Sequence, residues 1–266
     1  MNDAPHGGAL DGRLVVVLGS VRSGTTWLVE LLGSHPDVGI TKGESWIFNS
    51  LRDLFLNAHA SWDGPAALQD QAQIVALMRR FCDDIFSAAL ARQAPGASWF
   101  VEKTPGHTTR IPIMAATYPD AWYVHVVRDG RDVARSILQT AWGHDDPGDA
   151  ASAWVSAVRS VREEAWRLPR LRGIRYEDLL ADPVGQVSGL LTWMGHDVDA
   201  AVEREITARA QTEVSRFSAT DAVGTGKWRD LAPDALAKIY DEAGDMLLEL
   251  GYLTEPIRPS PHRGSA

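Results

Sequence analysis

The strongest constraint on the fold is Arg13 to Leu32, RLVVVLGSVRSGTTWLVELL. Leu14 to Leu18 is an apolar run of strand length. Gly19-Ser20-Val21-Arg22-Ser23-Gly24 is a turn bounded by glycines, and Trp27, Leu28, Leu31 and Leu32 then recur at helical spacing. A buried strand, a tight loop and a helix in that order wrap backbone N–H groups around an anion. The helix N-terminus adds partial positive charge. Ser23, Gly24, Thr25, Thr26 and Trp27 are therefore the expected phosphate seat. The glycine spacing is that of a P-loop, but Thr25 stands where a Walker A lysine would follow the second glycine. That lysine reaches the β- and γ-phosphates of a nucleoside triphosphate, so its loss argues against ATP or GTP as donor. Arg22 supplies a cation from inside the loop instead. The alternative is a βα turn that uses its glycines for geometry alone.

The 266 residues, 45% of them hydrophobic, suffice for one large α/β core or at most two small ones. A formal charge of −9 argues against general nucleic-acid binding and makes any anion site a local basic pocket. Cys82 is the only cysteine, which excludes an intrachain disulfide and suggests a cytoplasmic protein. Met1 to Asp11 lacks the basic and apolar regions of a signal peptide, and no apolar run approaches the ~20 residues of a membrane span. No His, Cys or Asp cluster has metal-ligand spacing. Of the ten tryptophans most are expected in the core, with some lining an apolar pocket.

Further strands are expected at Trp99 to Glu102, Trp122 to Val127 and Gly173 to Tyr176, with helices between them. His35 to Phe48 reads as a loop, because Pro36 disfavours helix before it. Leu51 to Ala94 reads as mostly helical, with Ile74, Leu77, Met78, Phe81, Ile85 and Leu90 as one apolar stripe. Asp149 to Leu168 is amphipathic, residues 199 to 212 look helical, and Ser215 to Arg229 reads as a long loop. Strands separated by helices imply a parallel sheet with ligands at its carboxyl edge. The expected organisation is a flexible terminus at 1–12, one domain over 13–254 and a flexible tail at 255–266. The expected fold class is α/β: a P-loop-like three-layer sandwich, a central parallel sheet flanked by helices.

A second anion site is expected after the third strand, in VVRDGRDVARS. Arg128 leaves the strand and Ser136 follows eight residues later, so two helical turns can bring the hydroxyl to the arginine's side of a ligand. An arginine fork plus a hydroxyl suits a phosphate monoester. The alternative is pairing of Arg128 with Asp129 or Asp132. Gly226, Lys227 and Trp228 in VGTGKWRD read as a nucleotide lid or as an ordinary surface loop.

Together these segments resemble the sulfotransferases that use 3′-phosphoadenosine 5′-phosphosulfate (PAPS). GSVRSGTTW is similar to the family's 5′-phosphosulfate loop, and VVRDGRDVARS to its 3′-phosphate motif. IRYEDLLADP is similar to the segment after the fourth strand, and GTGKWRD to the late glycine-rich loop, although Ala222-Val223 depart from the usual RKGxxG form. HPDV and VEKTP resemble bacterial and tyrosylprotein-type members more than the cytosolic phenol/steroid type. The resemblance implies PAPS as co-substrate with no metal, and in-line sulfuryl transfer to a hydroxyl of a small molecule. It implies that Arg128 and Ser136 read the 3′-phosphate and that Tyr176 packs near the adenine. Trp27 could stack there too or lie in the core. It also implies Lys103 as a donor to the transferring group, unless Glu102 pairs with it, and either Glu44 or His107 as the base. The stretches Trp46 to Trp62, Ile74 to Ala94 and Trp142 to Trp154 favour an apolar or aromatic acceptor by composition. A P-loop small-metabolite kinase would need a lysine after Gly24 and a magnesium-holding aspartate. A PAPS-binding protein without catalysis is the other alternative.

Overall fold

Strand β1, Leu14–Leu18, is buried along its whole length, so each of its side chains must find a core on one face of the sheet or the other. Val15 and Val17 enter one hydrophobic cluster, and Leu14, Val16 and Leu18 enter another. A computed structural model of the chain describes residues 10–60, 71–218 and 223–256. Most of the expected tails at 1–12 and 255–266 lies outside the described residues, as does Trp62.

Four strands join β1: β2 (Val38–Ile40), β3 (Trp99–Lys103), β4 (Trp122–Val127) and β5 (Leu171–Arg175). The order is β2-β3-β1-β4-β5, and every pairing is parallel. The chain leaves β1 for β2 and β3 on one side, then crosses to β4 and β5 on the other. β1 is therefore flanked by the point where the strand order reverses, the usual place for a ligand cleft.

One face is covered by α1 (Thr25–Leu32), α7 (Tyr176–Ala181), α8 (Pro183–Trp193) and α9 (Ala200–Ser218), through residues such as Leu28, Leu179, Leu191 and Ile206. The other is covered by α2 (Ile47–Ala60), α3 (Gln71–Gln93) and α4 (Ile111–Thr117), through Phe48, Phe86 and Met114. A third cluster joins α5 (Gly130–Leu138), α6 (Pro147–Glu164) and α10 (Pro233–Glu249) around Trp154, which has no solvent exposure. Trp154 lies so close to Gly130 that a Cβ there would sit 2.6 Å from the indole, and its Nε1 donates to the Arg128 carbonyl at 3.1 Å. The expected three-layer α/β sandwich with a parallel sheet is what the chain forms.

Several local expectations are corrected. Val38–Ile40, expected in a loop, is an edge strand too short to show a period. Tertiary bonds define it: the Asp37 carboxylate accepts from Ser98 N and Ser98 Oγ, which aligns β2 with β3. Gly39 is required because a Cβ would meet Leu90 Cδ1 at 2.3 Å. The strand expected from Gly173 starts at Leu171, and Tyr176 opens α7 rather than ending the strand. Part of the expected loop over 215–229 is structured: α9 runs to Ser218 and a 3-10 turn spans Lys227–Asp230. The stripe on α3 is divided, with Met78 and Leu90 buried but Leu77, Phe81 and Ile85 exposed. Among the described tryptophans Trp27 and Trp154 are buried in the core, Trp99, Trp122 and Trp193 pack against it half-buried, and Trp46, Trp142 and Trp166 are exposed.

Candidate active site

Because all five strands are parallel, the segments that follow them emerge at one edge of the sheet. One half of the candidate site is built by the loops after β1 and β4, the start of α7 and the late glycine loop. In the β1 loop, Arg22 (φ +66°) and Gly24 (φ +91°) adopt left-handed backbone conformations that curl the chain over the start of α1. No side chain caps α1, which leaves its first-turn N–H groups to meet a ligand. A Cβ at Gly24 would stand 2.4 Å from the Tyr176 ring, so the glycine permits that ring to lie against the loop. Ser23 has no solvent exposure and its Oγ has no protein partner. A buried hydroxyl in that state costs stability unless something else accepts its bond.

Arg128 extends from the end of β4 beneath this loop. It is buried, donates through Nη1 to Arg22 O (2.9 Å) and through Nη2 to Gly224 O (2.8 Å), and its guanidinium lies 4.3 Å from the Tyr176 ring centroid. Arg22 turns the other way and donates from Nε to Ser136 Oγ at 2.9 Å. Burial, and next the neighbouring Arg128 cation, hold the Arg22 guanidinium below its ordinary pKa. Two guanidinium groups and the Ser136 hydroxyl thus converge. The nearby carboxylates are occupied elsewhere. Asp129 caps α5 and pairs with Arg131 at 2.7 Å. Asp132 accepts from the backbone N–H groups of Gly226 (2.7 Å) and Trp228 (2.9 Å). Those two bonds dock the late loop, with the Trp228 ring 3.9 Å from the Arg131 guanidinium. Tyr176 Oη accepts from Gly224 N at 3.3 Å, and Lys227 rides on the same turn. Trp27 is a core residue, 5.9 Å edge-to-face from Tyr176, with its Nε1 unpartnered.

The other half lies after β2 and β3. Lys103 ends β3, beside Val17 of β1, and is 5% exposed. Its Nζ is 3.5 Å from Glu44 Oε1 in the turn after β2. Glu102, the alternative partner for Lys103, faces the opposite side of the strand and is completely buried. Its Oε1 accepts from Ser45 Oγ (2.7 Å) and Thr104 Oγ1 (2.8 Å), and its Oε2 accepts from His107 Nδ1 (3.0 Å). His107 Nε2 accepts from Phe48 N at 3.3 Å, so the imidazole proton resides on Nδ1 and both ring nitrogens are engaged. Thr108, the next residue, bonds Gly19 twice: its Oγ1 accepts from Gly19 N and donates to Gly19 O, each at 2.9 Å. That hydroxyl ties the β3 loop to the P-loop. Ser45, Glu102, Thr108 and Asp132 were not singled out as site residues from sequence. The one available signal was Glu102, a charge two residues after Phe100 on the same face of a strand.

Residues 15–200 match the sulfotransferase family. The chain belongs to that family. Among curated proteins it is 26% identical to nodulation protein NoeE of Sinorhizobium fredii, over 89% of this chain and 65% of that protein. It therefore spans slightly less than two thirds of NoeE's length. It is 24% identical to a putative protein-tyrosine sulfotransferase of Caenorhabditis briggsae, over 93% of this chain and 91% of that one. In fold it is similar to the sulfotransferase domain of the Synechococcus PCC 7002 olefin synthase (TM-score 0.56, 22% identity, 86% and 94% of the two chains). It is also similar to mouse sulfotransferase SULT7A1 complexed with PAP (TM-score 0.51, 16% identity, 91% and 88%). No helix among the described residues is long and apolar enough to cross a membrane.

Proposed function

We propose that the chain transfers a sulfuryl group from PAPS to a hydroxyl of a small apolar or aromatic molecule. The observation that carries this is the Lys103–Glu44 pair: a cation at the end of the strand adjoining the P-loop strand stands 3.5 Å from a carboxylate in the turn after β2. The orphaned Ser23 hydroxyl, the uncapped α1 terminus and the Arg22–Ser136–Arg128 group fit a nucleotide phosphorylated at two positions. Ser23 to Trp27 would hold the 5′ end, and Arg128 with Ser136 the 3′-phosphate. Tyr176, Gly226, Lys227 and Trp228 would enclose the base and ribose side. PAPS, when bound, supplies the sulfuryl group and a phosphate leaving group, and no metal is called for.

Glu44 is the base in this reading. It is partly exposed beside Lys103, so an acceptor hydroxyl can reach it, and proton removal there needs no rearrangement. Lys103 places its ammonium beside the Glu44 carboxylate and offers N–H donors where negative charge develops. His107 orients the turn, since its nitrogens are committed to Glu102 and Phe48. Exposed apolar side chains at Trp46, Leu54, Leu77, Phe81 and Ile85 support an apolar acceptor. A cytoplasmic setting belongs to the same proposal: Cys82 is buried and burial pushes its thiol up to about 12, an inert thiol rather than a disulfide partner.

The deciding experiment is incubation with labelled PAPS and a panel of hydroxylated metabolites, read by mass spectrometry for the gain of one SO₃. Transfer from PAPS, with competition by adenosine 3′,5′-bisphosphate but not by ATP, is expected. Phosphoryl transfer from ATP would replace this reading with the kinase. Tight bisphosphate binding with no transfer to any hydroxyl would replace it with a binding protein.

A further inference from the structure

Trp46 combines three features that seldom meet in one residue. Its backbone is left-handed, with φ +54°, although it carries a large side chain. Its side chain is 49% exposed, so burial of the ring does not account for that conformation. Its indole nevertheless lies flush on Gly106: a Cβ built there would stand 2.4 Å from Cζ3 and 3.0 Å from Cη2. The flanking bonds enforce this placement. Ser45 N donates to Thr104 Oγ1 (3.0 Å) and Ser45 Oγ donates to the buried Glu102 (2.7 Å), fixing the chain before Trp46. Ser50 N donates to Trp46 O (3.2 Å), fixing it to the start of α2. Left-handed strain in a bulky residue persists only where the surroundings over-determine it, and it concentrates at functional sites.

Position supplies the role. Trp46 is two residues from Glu44, and Gly106 three residues from Lys103, so the indole sits where the two segments bearing the ion pair approach each other. One face of the ring is held against glycine, which leaves an exposed aromatic surface beside the groups that meet the acceptor hydroxyl. We propose that Trp46 is the specificity-determining platform for the acceptor: it stacks a planar aromatic alcohol and so presents a phenolic hydroxyl to Glu44. This rests on the acceptor reading above and narrows it from apolar molecules in general to flat aromatic ones. Offset stacking of two rings adds about two- to tenfold in affinity beyond the area buried, which a puckered aliphatic ring does not gain.

The test uses Trp46→Gly and Trp46→Phe in the full chain. Glycine accepts the left-handed backbone without strain, so the first variant keeps the turn while removing the ring. Binding of 2-naphthol and of its saturated analogue decahydro-2-naphthol is measured by calorimetry, with and without adenosine 3′,5′-bisphosphate. Trp46→Gly should weaken 2-naphthol roughly tenfold and Trp46→Phe should restore most of it. The saturated alcohol, which loses buried area but no stacking, should weaken by a smaller factor than 2-naphthol; the bisphosphate should bind both variants as it binds the wild type, and thermal melting should show both variants folded. Equal loss for the two alcohols, no loss for either, or a wild-type chain that binds no naphthol would overturn the proposal. A chain that binds 2-naphthol through Trp46 but fails to bind the bisphosphate would leave this inference standing and remove the PAPS reading instead.

Discussion

Glu102 and Lys103 are adjacent in sequence and opposite in fate. Strand geometry turns successive side chains to opposite faces. Lys103 therefore meets Glu44 at the edge, while Glu102 is buried among Ser45, Thr104 and His107. The distinction separates the two candidate bases by experiment. Glu44→Gln should lower kcat by roughly 10²–10⁴-fold while affinity for adenosine 3′,5′-bisphosphate stays unchanged in calorimetry. His107→Ala leaves a buried carboxyl short of a donor, and should cost about 1–3 kcal/mol of stability in denaturant unfolding. In its folded fraction, the pH dependence of kcat should remain that of the wild type. Retention of full activity by Glu44→Gln would move the base elsewhere. Arg128→Ala should weaken the bisphosphate by about 1.5–3 kcal/mol, the range for hydrogen bonds to a charged group; undiminished affinity would remove the 3′-phosphate assignment.

At the scale of elements, the proposed donor half depends on how helix α5 meets the late loop. Asp132 lies in the first turn of α5 and accepts from two backbone N–H groups of the GTGKWRD loop. A single carboxylate thus positions Gly226, Lys227 and Trp228 together. Asp132→Ala should release them: faster hydrogen exchange at the Gly226 and Trp228 amides, with bisphosphate affinity reduced roughly tenfold through the ordering now required on binding. Unaltered exchange would show that Arg131 stacking on Trp228 suffices to hold the loop. The same helix carries Ser136 to Arg22, so α5 serves both ends of the site. The eight-residue interval between Arg128 and Ser136 predicted that both groups reach one region. It did not disclose that Arg22 stands between them.

For the molecule as a whole, stability rests on a sheet buried on both faces, and one buried group makes it respond to acid. His125 on β4 is 7% exposed, its Nε2 has no partner, and burial pushes its pKa down to about 4. The unfolded chain takes up that proton near pH 6.5, the folded one only near pH 4. Stability from neutral His125 is therefore present above pH 6.5 and lost as pH falls through that interval, at up to about 1.4 kcal/mol per pH unit. His125→Asn should flatten the stability curve between pH 6.5 and 4 relative to wild type, as read by urea unfolding. An unchanged slope would show that other groups carry it. The sequence by itself determined the strand–loop–helix start and the parallel α/β class, because each is written in contiguous residues whose period or glycine spacing has a local cause. The tertiary structure alone decided the short edge strand at Val38–Ile40, the division of the α3 stripe, the partner of Lys103 and the left-handed turn at Trp46. Those depend on hydrogen bonds and contacts between segments 50 or more residues apart, such as Ser45 with Glu102 and Gly19 with Thr108. Local propensity carries no information about which distant groups will satisfy a buried carboxylate or a hydroxyl.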